Sequence, residues 1–158
     1  MRFASIILLC AALPSTAQDF TEGQWEFKSK LTVPGLSGIE GFQLPEGFEL
    51  PEGMQMPVFG KDGVEVVNRN CITPASLVPP TNPEAQDCKV TEQQISGGLV
   101  RWRLQCATDQ GQMVGVGEGQ YSGTRMNATM QMQGTLHGLP ISSNVVTAGR
   151  YLGACPGP

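Results

Sequence analysis

The side chains best able to do chemistry here are the cysteines, the single histidine and the methionines. Cys71, Cys88, Cys106 and Cys155 include no C-x-x-C pair, and His137 is remote from all four in sequence. That spacing argues against a zinc site, and for Cys88 and Cys106 a cross-strand staple is preferred to a redox or metal pair. His137 sits in Leu136-His137-Gly138, outside any Gly-x-Ser-x-Gly setting, and reads as an exposed loop residue rather than the base of a hydrolase. The carboxylates are scattered over outward strand positions and loops, which does not fit the paired acids of glycoside hydrolysis. Glu118 lies within Gly115-x-Gly117-x-Gly119, but no helix follows that run, so it is not a dinucleotide or phosphate loop. The expectation is a non-enzyme with no catalytic residues and no cofactor.

Methionine offers one sharper chemistry. Met54-Gln55-Met56 and Met130-Gln131-Met132 are both Met-x-Met, and soft thioethers select Cu(I). Met130 and Met132 fall on an apolar strand stripe where packing accounts for them, whereas Met54 and Met56 lie in a loop. A Met-based Cu(I)-binding protein is therefore the alternative reading. The first reading is a binding or structural module. Its ligand-binding residues are Phe42, Phe48, Met54, Met56 and Phe59, adaptable apolar side chains over one end of a sheet. The partner is another envelope protein or an apolar small molecule.

Those five residues belong to a long loop, 34–63, rich in Pro, Gly and Met. It contains the near-repeat Leu44-Pro-Glu-Gly-Phe-Glu and Leu50-Pro-Glu-Gly-Met-Gln. Two copies are too few for a solenoid, and recurring Pro-x-Gly resists both helix and sheet. Around the loop the chain alternates with period two. Trp25, Phe27, Ser29, Leu31 and Val33 share one face of a first strand, with Glu26, Lys28 and Lys30 on the other. Val64 to Asn70 is a second strand, and Thr73-Pro74 opens a single helical turn to Leu77.

Cys88 to Cys106 reads as a hairpin turning at Ser96-Gly97-Gly98. A three-residue loop centred on Gly97 puts Cys88 opposite Cys106, Val90 opposite Leu104, Glu92 opposite Trp102 and Gln94 opposite Val100. This register favours Cys88–Cys106, leaving Cys71–Cys155; the other arrangement weighed is Cys71–Cys88 with Cys106–Cys155. Met113 to Tyr121 and Arg125 to Gln133 form a further hairpin. A two-residue turn at Ser122-Gly123 pairs Gly119 with Met126 and Gly117 with Ala128, so that methionines fill space beside glycines. Gly134 to Pro140 is a loop, and the last strand runs from Ile141 or Ser142 to Leu152. The sum is an all-β domain of about seven strands, an antiparallel meander curled into a small barrel or sandwich, with two disulfides.

The amino terminus indicates the compartment. Met1-Arg2, the apolar run Phe3 to Leu13 and Ser15-Thr16-Ala17 make a secretory signal peptide, 1–17, cleaved after Ala17. Cys10 leaves with it, and 18–158 is one domain in an oxidising periplasmic or secreted setting. No later apolar run approaches transmembrane length. Without Arg2, nine basic residues face fourteen acidic ones. No basic patch appears along the chain, so nucleic acid is not an expected partner. The acidic balance also argues against anionic lipid surfaces.

A set of landmarks recurs in order: Gly23-x-Trp25-Glu26, Cys71-Ile72-Thr73-Pro74, Asp87-Cys88-Lys89-Val90, Gly97 to Cys106, Tyr121-Ser122-Gly123 and Arg150-x-x-Gly153-x-Cys155. Together they resemble a family of exported bacterial proteins catalogued as domain of unknown function 3617, over essentially the whole chain after the signal. The resemblance implies an envelope location in a Gram-negative bacterium. It implies no activity and carries over no functional residues.

Overall fold

Period-two alternation builds eight strands. In the computed structural model, residues 20–35, 49–50, 52–73, 76, 88–109 and 111–157 are described. The strands are β1 (Gly23–Thr32), β2 (Val58–Gly60), β3 (Gly63–Ile72), β4 (Cys88–Ser96), β5 (Leu99–Thr108), β6 (Gly111–Ser122), β7 (Arg125–Leu136) and β8 (Leu139–Gly153). They form one antiparallel sheet in the order β2-β3-β1-β8-β7-β6-β5-β4. The meander runs from β4 to β8, and the last strand returns beside the first. The eighth strand is the addition to the expected seven. β2 lies inside the 34–63 stretch, where Phe59 pairs with Val64. Just before it, Met54 bridges Asn68 and the Gln55 N–H donates to the Val67 carbonyl at 2.8 Å. Pro-x-Gly breaks a strand interior, but three residues without Pro suffice to pair along an edge.

Curvature takes the place of a second layer. Ile72 on β3 and Trp102 on β5 stand five strand steps apart, which a flat sheet would set at roughly 24 Å. They nevertheless belong to one core with Trp25, Val100, Leu104, Met126 and Ala128 and line one cavity. The sheet is curled and open, since β2 and β4 do not pair with each other. Two glycines permit the close approach of large rings across neighbouring strands. Gly117 faces Trp102 directly, and a Cβ there would overlap the indole. At Gly149 a Cβ would come within 2.8 Å of the Phe27 ring. Trp25 is wholly buried, stacked on Phe20 and Phe27, and its Nε1 donates to the Thr21 carbonyl at 2.9 Å.

Both favoured disulfides are present, Cys88–Cys106 across β4 and β5 and Cys71–Cys155 over a separation of 84 residues. The route to the first differs from the expected one. The turn has two residues, Gly97 and Gly98, both at positive φ, so Ser96 faces Leu99. A bulge between Val90 and Glu92 then restores Cys88 opposite Cys106 and Val90 opposite Leu104. Between turn and bulge the register is shifted: Gln94 faces Arg101 instead of Val100, and Glu92 faces Arg103 instead of Trp102. Glu92 there meets the Arg103 guanidinium at 3.5 Å.

The β6–β7 register also needs correction. The turn residues are Gly123 and Thr124, with Gly123 at φ 54°, so Ser122 pairs with Arg125. Gly119 consequently faces Ala128, Gly117 faces Met130 and Gly115 faces Met132. The slip is two residues, so every side chain keeps its face. The expected loop at 134–140 shrinks to His137-Gly138, because both strands run to the turn. His137 sits exposed at φ 51°. At the end of β3 the Ser76 N–H donates to the Thr73 carbonyl at 2.9 Å, and the Thr73 N–H donates to Ser76 Oγ at 2.9 Å. Pro74, Ala75 and Leu77 of the expected helical turn, and the signal segment, lie outside the described residues.

Gly117→Ala tests the Trp102 contact. Overpacking here should destabilise by about 1–3 kcal/mol in urea unfolding. Val116→Ala, on the outward face of the same strand, should stay within about 0.5 kcal/mol.

Candidate functional site

The sheet sorts its residues by charge. Because cross-strand partners share a face, the registers place each strand residue inward or outward. No inward position of the eight strands carries Asp, Glu, Lys, Arg or His. The inward face holds a cavity of about 230 Å³. Phe27, Trp102, Met126, Met130 and Val145 supply its apolar wall, and Ser29, Asn68, Asn70 and Thr147 its polar side. Each strand contributes by alternation: Phe27 and Ser29 are two apart on β1, Asn68 and Asn70 on β3, Val145 and Thr147 on β8.

The polar groups are arranged across β3, β1 and β8. Ser29 lies opposite Thr147, and their hydroxyls are 2.8 Å apart, with either able to donate. Asn68 lies opposite Phe27, and Asn70 opposite Trp25. On the far wall Trp102 is only 4% exposed, and its Nε1 finds no acceptor among the described residues. Such a wall can hold an apolar body and offer neutral hydrogen-bonding groups at one end. Its described residues offer no charge to pair with an ion. Among the described residues no group of three or more His, Cys, Asp and Glu could hold a metal ion.

Of the five ligand-binding residues expected from the sequence, Met54, Met56 and Phe59 are not among the described residues that line this cavity. Phe42 and Phe48 lie outside the described residues. Met54 is half-buried, and its bridge to Asn68 sets it on the inward face beside a cavity residue. Phe59 is half-buried on β2, on the same face as Val64. Met56 is 64% exposed. Of the second Met-x-Met pair, Met130 lines the cavity and Met132 is half-buried opposite Gly115 and Ser143. Asn68, Asn70, Ser29 and Thr147 were missed. Their signal was present, because each is a polar residue at an inward position of an alternating strand.

The outward face carries the charges. Glu26, on β1 between β3 and β8, is gripped from both sides. Arg69 Nε donates to its Oε2 at 2.9 Å, and Arg150 Nε to its Oε1 at 2.8 Å. The hydrogen bond from Arg69 first, then that from Arg150, holds the Glu26 carboxyl below its ordinary value of 4.5. Lys28 does the same to Glu65, at 2.9 Å. Arg101 pairs with Glu118 at 2.7 Å.

Fold and site together define a disulfide-tied, curled antiparallel sheet with an uncharged, largely apolar inner cavity. The family model described as a protein of unknown function, DUF3617, matches residues 20–155, and the chain belongs to that family. No curated protein and no solved structure matches the chain. No helix among the described residues is long and apolar enough to cross a membrane.

The Glu26 cluster has a pH signature. A carboxyl held below 4.5 contributes stability that is present above that pH and lost as pH falls through its lowered folded value. Glu26→Gln should therefore lower Tm most above pH 4.5, and the gap to wild type should close on further acidification. A gap that stays constant from neutral pH down to acid unfolding would contradict the pairing.

Proposed function

We propose that this protein is a non-enzymatic binding module of the cell envelope that holds an uncharged, mainly apolar small molecule in the cavity of its curled sheet. The observation that carries this reading is the cavity itself: about 230 Å³, with no charged residue among the described residues that line it. Ligand sites are typically concave and mostly apolar, with a few placed polar groups, and this wall has that composition. Met126 and Met130 line it, and methionine adapts to irregular apolar shapes. The two disulfides, together with the export signal that the sequence leads one to expect at 1–17, support an oxidising envelope location.

The chemistry of the wall narrows the ligand. A carboxylate or phosphate buried there would meet no cation, and desolvating an unpaired charge is costly. A neutral amphiphile loses nothing of that kind. Its apolar part would lie against Phe27, Trp102 and Val145, and its polar group against Asn68, Asn70 and the Ser29–Thr147 pair.

N-phenyl-1-naphthylamine, a neutral fluorophore that brightens in apolar surroundings, is a direct probe. We expect saturable binding to the purified protein. Val145→Phe should weaken binding by at least about tenfold, since discrimination in apolar pockets is worth about 1–3 kcal/mol per methylene and a phenyl ring adds several carbons. Circular dichroism should confirm that the variant is folded. An absence of probe binding, or equal affinity for wild type and variant, would refute the reading. Native mass spectrometry of protein taken from the periplasm should show an organic adduct, and a copper adduct in its place would point to methionine ligation.

A further inference from the structure

The outward face is basic although the chain is acidic. Along the sequence the cations are dispersed, but alternation and register collect them. Eight of the ten Lys and Arg residues fall on outward strand positions, with only four carboxylates beside them. The face thus carries 8 − 4 = +4, on a chain whose formal net charge is −4.

The excess is concentrated on β3, β1, β8 and β7. One row across these four strands reads Arg69, Glu26, Arg150, Arg125, each directly opposite the next. Lys28 and Lys30 extend the patch along β1, with Glu65 as the only other carboxylate on the described strand positions of the patch. Five cations and two carboxylates leave +3 within roughly 14 Å by 14 Å. All five cations are exposed. Glu26 takes both Arg69 and Arg150, so Arg125 has no carboxylate partner among the described residues. Arg125 also stands directly opposite Arg150. Like charges facing each other across strands are destabilising unless an anion is supplied. Val146, 50% exposed, lies opposite Lys30 and adds an apolar side chain to the patch.

We propose that this outward face of β3, β1, β8 and β7 docks on the anionic headgroup surface of a phospholipid bilayer. Charge complementarity argues for that occupant. The cations are spread over four strands rather than gathered about a cleft that would seat one discrete anion. An exposed valine among them suits a headgroup boundary. Basic residues near an anionic leaflet each contribute attraction that decays within a Debye length. The face lies opposite the cavity, so docking would leave the cavity side away from the lipid. The inference does not depend on what the cavity holds.

The experiment is co-sedimentation of the mature protein with vesicles of phosphatidylglycerol and phosphatidylcholine, set against vesicles of phosphatidylcholine alone. Binding should be confined to the anionic vesicles and should be abolished by 1 M NaCl, where screening is near 3 Å. Arg125→Glu should weaken it by at least about tenfold, from the loss and reversal of one cation near the surface. Lys61→Glu makes the same change in net charge at a turn outside the face and should leave binding within about twofold of wild type. The circular dichroism spectrum and Tm of Arg125→Glu should match those of wild type, which shows the fold intact whether or not the cavity binds N-phenyl-1-naphthylamine and so separates failure of this inference from failure of the cavity reading. No binding to anionic vesicles, equal binding to both vesicle types, or equal losses in Arg125→Glu and Lys61→Glu would each overturn the proposal.

Discussion

A single sheet has no second layer against which to bury its inner face, and here the sheet must bury that face against itself. The contact that makes this possible is Trp102 lying across Gly117. Trp102 is nearly buried although its strand is next to the sheet edge, because the neighbouring strand offers no side chain at that point. Phe27 uses Gly149 in the same way from the other side. With large rings reaching over glycines, strands five steps apart come to share one core, and the sheet curls around what they leave empty.

The disulfides hold the curled sheet at two places. Cys88–Cys106 joins the edge strand β4 to β5, where the ladder is backed by little side-chain burial, since every residue of β4 after Cys88 is exposed. Cys71–Cys155 acts differently. β3 and β8 flank β1 on its two sides at Gln24, so this bridge passes from one neighbour to the far end of the other and encloses the start of β1. The buried Trp25 lies one residue further on. At this end the aromatic cluster of Phe20, Trp25, Phe27, Tyr121 and Tyr151 supplies the packing. The covalent link keeps its three strands in register.

The two faces then have separate physical characters. The inner face is neutral and holds a cavity. The outer face is crossed by ion pairs and carries a cationic excess. The pairs are exposed, so most contribute little stability individually. The Glu26 cluster departs from that pattern, because two guanidinium groups converge on a carboxylate that is only 15% exposed. A sheet that segregates charge in this way presents two chemically distinct surfaces, separated by the thickness of one sheet.

Much of this was decided locally. Period two assigned each residue of β1, β5 and β7 to its face before any partner was known, because successive side chains in a strand must alternate. The pairing of Cys88 with Cys106 was also legible, though by compensation: a turn one residue shorter than expected was balanced by a bulge at Thr91. The two-residue slip between β6 and β7 did no harm to face assignment, since an even shift preserves alternation. What alternation cannot specify is which strands become neighbours. The cavity is built from β1, β3, β5, β7 and β8, so it exists only once the sheet has curled, and no window of the chain contains it. The basic face is non-local for the same reason. Arg69, Arg125 and Arg150 are far apart along the chain and acquire a common surface only through cross-strand register. Sequence alone determined seven of the eight strands and, outside the shifted part of β4, the face each side chain takes, because those depend on neighbours two residues away. Tertiary structure decided the cavity and the charged surface, because those depend on contacts between residues scores of positions apart.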